Sequence, residues 1–408
     1  MTETQAIIDS YRRATAEGER AALATLVRVE GSAYRRPGAR MFITERGQTT
    51  GVLSGGCLER DVSERAAKVM RTGEPLVVTY DTTSDDDIVW GLGIGCNGVV
   101  QVLIEPAGEL RLDCLMQLLK ECAKSRRRGA VATVIHQEGE TEIRIGTRAL
   151  LYPDESLLSE LLVSGVFAGP SVVNDLRDAV ESGASAIKRY EVDAGIIDVF
   201  IQVIEPQVSL VIFGAGDDAL PVVALAQNLS WQTTVVDTKL RPASIERFAA
   251  AETVLLCPPE EVLDRVPLNE SAAVVLMTHN YLHDLELLKA LLNRRVRYIG
   301  CLGPKRRAER LLLELEEEGE STLVDACRAQ LHAPAGLDIG AETPAEIAFS
   351  IIVEIKAVLT GRGGGLLRNR SGSIHSEVGK RGMTAHWPVG DEFGIATNLP
   401  KVAIGAAS

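Results

Sequence analysis

A chain of 408 residues is longer than one hydrophobic core usually supports, and 46% hydrophobic with 24% charged residues is the balance of a folded globular protein. A formal charge of −13 excludes a dedicated nucleic-acid surface and a polybasic membrane surface, both of which need clustered cations. The opening MTETQAIIDSYRR reads as neither a secretory signal nor a membrane span, and seven dispersed cysteines do not form a disulfide framework, so a reducing cytoplasm is the expected setting.

Residues 4–17 read as a helix, and 22–31 and 39–45 as strands with turn chemistry between them at Arg36, Pro37 and Gly38. The run SGGCLER (54–60) leads into a helix from Arg60 to Arg71, closed by Gly73. Strands at 76–81 and 99–106 flank an acidic loop with Asp85, Asp86 and Asp87, followed by the second glycine-rich turn, GLGIGCNG (91–98). An amphipathic helix over 110–128 carries Cys114 and Cys122 on its buried or neutral face. Strands at 131–137 and 142–151, a helix near 154–162 and strands over 188–204 complete this half. VIEP (203–206) echoes LIEP (103–106), which places both as strands leaving one sheet, although four residues are too few to establish a repeat.

From Ser209 short apolar strands alternate with helices, the pattern of a doubly wound parallel sheet. The fold class is α/β: an N-terminal α+β domain (1–206), a Rossmann-like domain (207–362) and a C-terminal extension (363–408). In FGAGDDA, Gly214 permits the tight turn and Gly216 a close backbone approach, while Asp237 ends the next strand where a ribose hydroxyl would bind. Asp217 and Asp218 oppose that reading, because two carboxylates at a helix start repel a pyrophosphate. His279, in THNYLHD, stands at the C-terminal end of a strand, where open α/β sheets bind ligands; His283 is four residues on, but no third metal ligand is spaced to join them. YIGCLGPKRR (298–307) is a further glycine turn with a basic helix start, and Thr343, Pro344 and Glu346 open a capped helix.

Two cysteines stand out. Cys57 lies beside Gly55 and Gly56, and Cys96 beside Gly95; a packing cysteine needs no such neighbours, whereas a thiolate meeting a bulky ligand gains from backbone without Cβ atoms. Glu59 follows Cys57 where the turn enters the helix. Arg35, Arg36 and Arg40 crowd the stretch GSAYRRPGARM (31–41) and need either carboxylates, for which Asp85–Asp87 are available, or a phosphorylated ligand.

Taken in order, GSAYRRPGARM, GVLSGGCLE, GLGIGCNG, FGAG, THNYLHD, YIGCLGPKRR and GAETPAEIAFSIIVEI resemble the XdhC/CoxI family, the xanthine dehydrogenase accessory proteins, over about residues 20–362. The resemblance implies a cytoplasmic maturation factor, rather than a stand-alone enzyme, that binds molybdenum cofactor (molybdopterin), supports its sulfuration and delivers it to a molybdenum hydroxylase apoenzyme. It further implies a cysteine desulfurase as partner and self-association as a homodimer. Carried over by position, Cys57 and Cys96 are the turn cysteines; because soft thiolates suit a molybdenum or sulfur centre, Cys96 or Cys57 is expected to contact the metal or its exchangeable sulfur. Glu59 orients them or accepts a proton, Arg35, Arg36 and Arg40 hold the pterin phosphate, and Gly214 and Gly216 form the Rossmann turn. Asp217 departs from the histidine frequent there, and Tyr34 from a frequent proline. The alternative is an NAD(P)-dependent oxidoreductase with His279 as proton donor; a regulatory scaffold is the third reading.

Overall fold

The computed structural model describes residues 2–81, 98–108, 110–159, 170–192, 195–266, 268, 272–292, 294, 296–320, 324–325, 328 and 330–370. Helix α1 (Glu3–Glu17) precedes β1 (Ala21–Gly31), β2 (Arg40–Thr44) and β3 (Thr49–Thr50); α2 (Glu59–Thr72) then leads to β4 (Leu76–Asp81) and β5 (Gly98–Pro106). These strands form an antiparallel sheet in the order β3-β2-β1-β5-β4. The next segment repeats the arrangement: α3 (Leu110–Ser125), β6 (Gly129–Gly139), β7 (Arg148–Leu151), β8 (Leu157–Ser159), α4 (Pro170–Ser182), β9 (Ala186–Val192) and β10 (Gly195–Ile204). Its order is β8-β7-β6-β10-β9, the same topology one unit later.

The correspondence holds residue by residue. Ala22, Ala24 and Thr25 of β1 match Ala130, Ala132 and Thr133 of β6, and each strand is bulged at the equivalent place, Val27 and Ile135. RPGAR (36–40) and RIGTR (144–148) are the same turn: the N–H of Gly38 donates to the carbonyl of Leu26, and that of Gly146 to the carbonyl of Val134. Both glycines have positive φ, 97° and 88°, which a side chain would strain. Helix α2 covers the outer face of the first sheet through Val62, Ala66 and Val69, and α4 covers the second through Val172, Leu176 and Ala179. Between the sheets lie α1 and α3, whose Ile8, Tyr11, Leu115 and Leu119 meet Leu23 and Phe42 from one sheet and Val131 and Leu150 from the other. The bulged residues Val27 and Ile135 close the seam with Leu103 and Phe200.

Polar side chains cross this seam reciprocally. Arg148 of the second unit donates to Glu105 of the first, and Arg40 of the first donates to Gln202 of the second at 2.6 Å. Arg148 and Glu105 are 2% and 3% exposed, so their charges are held out of water and depend on one another.

The third sheet begins with β11 (Ser209–Phe213), α5 (Ala219–Asn228), β12 (Gln232–Asp237), α6 (Ala243–Arg247) and β13 (Thr253–Leu256). Helix α7 (Val262–Arg265), β14 (Ala272–Leu276), α8 (Tyr281–Leu292), β15 (Tyr298–Cys301), α9 (Lys305–Glu317), β16 (Leu331–His332) and α10 (Pro344–Leu359) follow. All six strands are parallel in the order β13-β12-β11-β14-β15-β16, so the strand order reverses between β11 and β14. Successive β11 residues alternate between two cores: Val211 and Phe213 pack with α8 and α9, and Leu210 and Ile212 with α5 and α10. The sheet is thus covered on both faces, as a parallel sheet requires. Thr343 and Glu346 form the expected reciprocal cap on α10.

Three expectations change. Of the strand expected over 142–151 only Arg148–Leu151 is strand, because residues 144–147 form the turn in which the Gly146 N–H bonds back to Val134. Residues 157–159 are strand β8 rather than helix: Asp154 accepts from Ser156 and Glu155 takes positive φ, making a tight turn that folds the chain back onto β7. The LIEP and VIEP segments do not leave one sheet. β5 and β10 belong to different sheets, and in the repeat Glu105 corresponds to Gln202, so the four-residue echo is out of register with the structural match. The extension is described only to Arg370; Trp387 and Phe393 lie outside the described residues.

Replacing Glu105 by Leu leaves two buried guanidiniums without a carboxylate and is expected to cost about 3–5 kcal/mol. Removing both charges in Glu105→Leu/Arg148→Met is expected to recover most of that loss, read from urea midpoints at constant slope.

Candidate functional site

The Cys57 turn is built around one carboxylate. Glu59 Oε1 accepts from the N–H groups of Leu53, Ser54 and Gly55 at 3.1, 2.8 and 3.3 Å. Oε2 accepts from the N–H groups of Gly56 and Leu58 at 2.9 and 3.2 Å and from Ser54 Oγ at 2.6 Å. So many donors converge because Gly55 and Gly56 take φ of 96° and 121°, which curls the backbone around the first residue of α2. A side chain at Gly55 would touch the Tyr34 ring, whereas nothing lies within 4 Å of one at Gly56. Cys57 is exposed on this turn.

Burial pushes the Glu59 carboxyl up, but the Ser54 hydroxyl and the backbone N–H groups outweigh it and hold the group below the ordinary 4.5. A carboxylate so stabilised is a poor proton acceptor near neutrality; of its two expected roles, the geometry supports orienting the turn. The other cysteines differ in kind: burial pushes Cys122 up to about 12 and Cys301 to about 11, and raises Cys257. They are packing residues. Cys96, Gly95, Cys327 and Asp85–Asp87 lie outside the described residues.

The three arginines do not converge. Arg35 pairs with Glu3 at 2.7 Å, and the other Glu3 oxygen accepts from the N–H of Val52, just before the cysteine turn. Arg36 is exposed. Arg40 turns the opposite way, into the seam, because it begins β2 opposite Thr25.

At the third sheet, Gly214 has φ 124°, and a side chain there would collide with the carbonyl of Met277, so strand proximity alone demands the glycine. Asp237 is 1% exposed, and its carboxylate accepts from the N–H of Lys239, Arg241 Nε at 2.9 Å and Ser244 Oγ at 2.6 Å. Burial raises that group, and Ser244 and Arg241 more than reverse it. Arg241 and Arg247 also donate to the carbonyl of Ala215, and Arg247 pairs with Asp217. These residues do not fit a dinucleotide. The ribose-binding acid is engaged by its own loop, and the Asp218 carboxylate lies against Gly216 where a pyrophosphate would approach.

His279 does stand at the strand-order reversal, following β14, with its Nε2 2.8 Å from Asp218 Oδ2. Its φ of 53° is strained for a non-glycine residue, and the network around it is tight: Thr278 Oγ1 donates to Asp284 Oδ1, and Arg307 donates to Asp284 Oδ2, both at 2.6 Å. His283 turns to Thr238 Oγ1 at 2.9 Å, so the two histidines do not share a ligand, and no group of three metal-binding side chains occurs among the described residues. Sequence reasoning missed Ser54, Asp284 and Arg247 as partners. Only the serine, five residues before Glu59 across two glycines, left a local signal.

Because the Glu59 pKa is depressed in the fold, its stabilisation is fully present above about 4.5 and is lost as pH falls through the folded value. Glu59→Gln is expected to flatten the acid limb of stability below that pH and to lose about 1–3 kcal/mol near neutrality, measured by urea unfolding at a series of pH values.

The XdhC and CoxI family model matches residues 14–81 and 122–191, and an XdhC Rossmann domain model matches 210–355. The two former segments begin as far apart as Thr25 and Thr133, the equivalent positions of the structural repeat. Among relatives, a Bacillus subtilis protein described as a probable xanthine dehydrogenase subunit is 32% identical over 83% of this chain and 92% of its own. The molybdenum cofactor insertion chaperone PaoD of Escherichia coli is 25% identical over 84% of each chain. A crystal structure of a xanthine dehydrogenase from Bacillus halodurans superimposes with a TM-score of 0.68 at 30% identity, covering 88% of this chain and 96% of that one. With both models matched in sequence order and that identity sustained over most of its length, this chain belongs to the XdhC and CoxI family.

Proposed function

We propose that the protein is an accessory factor that takes up molybdenum cofactor as cargo, shelters it during sulfuration and passes it to a xanthine dehydrogenase-type hydroxylase. The observation that carries this reading is the exposed Cys57 on a turn locked by Glu59 and left open at Gly56. A soft thiolate suits a molybdenum or sulfur centre, and backbone without side chains admits a bulky ligand. Glu59 acts by position: it fixes the φ/ψ of the turn and hence the direction of the thiol. Cys96 is the second thiol of the proposed site, and Arg35 and Arg36 are the cations proposed for the pterin phosphate. The name of PaoD supports a maturation role, and that of the Bacillus subtilis relative supports a xanthine dehydrogenase as the enzyme served.

A cysteine desulfurase supplying sulfur, a hydroxylase apoenzyme as recipient, a homodimer and a cytoplasmic setting complete the proposal. No helix among the described residues is long and apolar enough to cross a membrane. The proposed division is 1–206 for the double-sheet domain, 207–362 for the Rossmann-like domain and 363–408 for the extension. An NAD(P) oxidoreductase is disfavoured by the engaged Asp237.

Freshly released molybdenum cofactor, followed by pterin fluorescence after ultrafiltration, is expected to be retained near one equivalent by the wild type. At least tenfold less is expected with Cys57→Ser. Full retention by both Cys57→Ser and Cys96→Ser would overturn the assignment.

A further inference from the structure

The seam between the repeated sheets is unbalanced in charge. By the repeat, Arg40 corresponds to Arg148 and Gln202 to Glu105, so two buried guanidiniums share one carboxylate, and an amide stands where the symmetric partner of Glu105 would be. Arg40 is 8% exposed, and its Nε has no hydrogen-bond partner; Nε and Nη1 of Arg148 are likewise unsatisfied. Burial and the neighbouring Arg148 charge pull Arg40 down to about 10, against the opposing pull of Glu105. Buried donors and an uncompensated buried cation are costly unless something completes them.

What lies beside this deficit is a cleft of about 680 Å³, with Arg40 and Gln202 on one wall. Lys120 and Lys124, both exposed on α3, add two more cations at its border, and Trp231 and Gln232 close it from the start of β12. Glu205 and Glu252 also reach the cleft, and Glu205 is held by Arg128 at 2.9 Å. The volume is within the range of sites for small organic molecules, and Trp231, 9% exposed, reports from its lining. This end of the third sheet, where the strands begin, is opposite to the one that carries Gly214 and His279.

We propose that this cleft is a binding site for a small organic phosphate, whose phosphoryl group supplies the negative charge that Gln202 does not and accepts from Arg40, with Lys120 and Lys124 as further cations. Arg40 is the guanidinium that lines the cleft, and a charge-assisted contact from it to a phosphoryl oxygen would offset the charge that its amide partner leaves uncompensated. The site is distinct from the cysteine turn, and its test needs no molybdenum.

The test follows Trp231 fluorescence on titration of the full chain with inorganic phosphate, adenosine monophosphate and adenosine, with Trp231→Phe identifying the signal. Both phosphates are expected to bind, and adenosine at least tenfold more weakly than its monophosphate. A monophosphate that binds more tightly than phosphate identifies an ester as the ligand; equal affinities overturn the organic part of the proposal. Lys120→Glu/Lys124→Glu, on an exposed helix face, is expected to weaken binding at least tenfold. Gln202→Glu, which restores the missing carboxylate from within, is expected to abolish it. Absence of phosphate binding by the wild type, or full binding by Gln202→Glu, would show that the Arg40 charge is compensated in another way and would overturn the site.

Discussion

The first half of the molecule depends on a reciprocal exchange of polar side chains across an internal seam. Arg148 reaches from the second sheet to Glu105 in the first, and Arg40 reaches from the first to Gln202 in the second. Hydrophobic contact alone would let two similar sheets slide over α1 and α3. A buried ion pair does not tolerate such a shift, because either partner left alone keeps its full desolvation cost. The turns that launch both arginines need glycine at Gly38 and Gly146, since a Cβ at either would press on the seam residue opposite, Gln202 or Glu105. Sequence, turn and seam are therefore one constraint.

That scaffold explains how the thiol comes to be held. The first unit places α2 against β1 and β5, and the start of α2 carries Glu59, whose carboxylate gathers the N–H groups of residues 53–56 and 58, on either side of Cys57. Cys57 is exposed on backbone that is itself fixed, which limits the conformational entropy lost when a ligand binds. The second unit carries no cysteine between β6 and β10, and only residues 193–194 separate β9 from β10, whereas residues 82–97 separate β4 from β5. The repeat is symmetric in its frame and asymmetric in its chemistry.

Much of this is legible in the sequence, for identifiable reasons. Alternating apolar strands and helices after Ser209 point to the parallel sheet, and the Thr343–Glu346 cap marks α10, because both signals are local. Glycines beside Cys57 point to an exposed thiol for the same reason. The repeat stays hidden because its identity is confined to scattered positions such as Thr25 with Thr133 and Arg40 with Arg148. The more visible LIEP and VIEP echo is out of register with it. Adjacency groups Arg40 with Arg35 and Arg36, but strand pairing with Thr25 turns it inward, and pairing partners come from distant sequence. Asp237 fits a ribose-binding pattern, yet Arg241, four residues on, and Ser244 already occupy it.

On the proposed function, the exposed thiol on the Glu59-locked turn is the group that meets the cofactor. The most direct measurement is the rate of Cys57 alkylation by iodoacetamide, followed by peptide mass spectrometry, with and without one equivalent of freshly released molybdenum cofactor. Rapid alkylation of the free protein is expected, with at least tenfold protection of Cys57 when cofactor is bound and with Cys122 and Cys301 unreactive in both states. Cofactor retained by the protein while Cys57 is alkylated at an unchanged rate would contradict it.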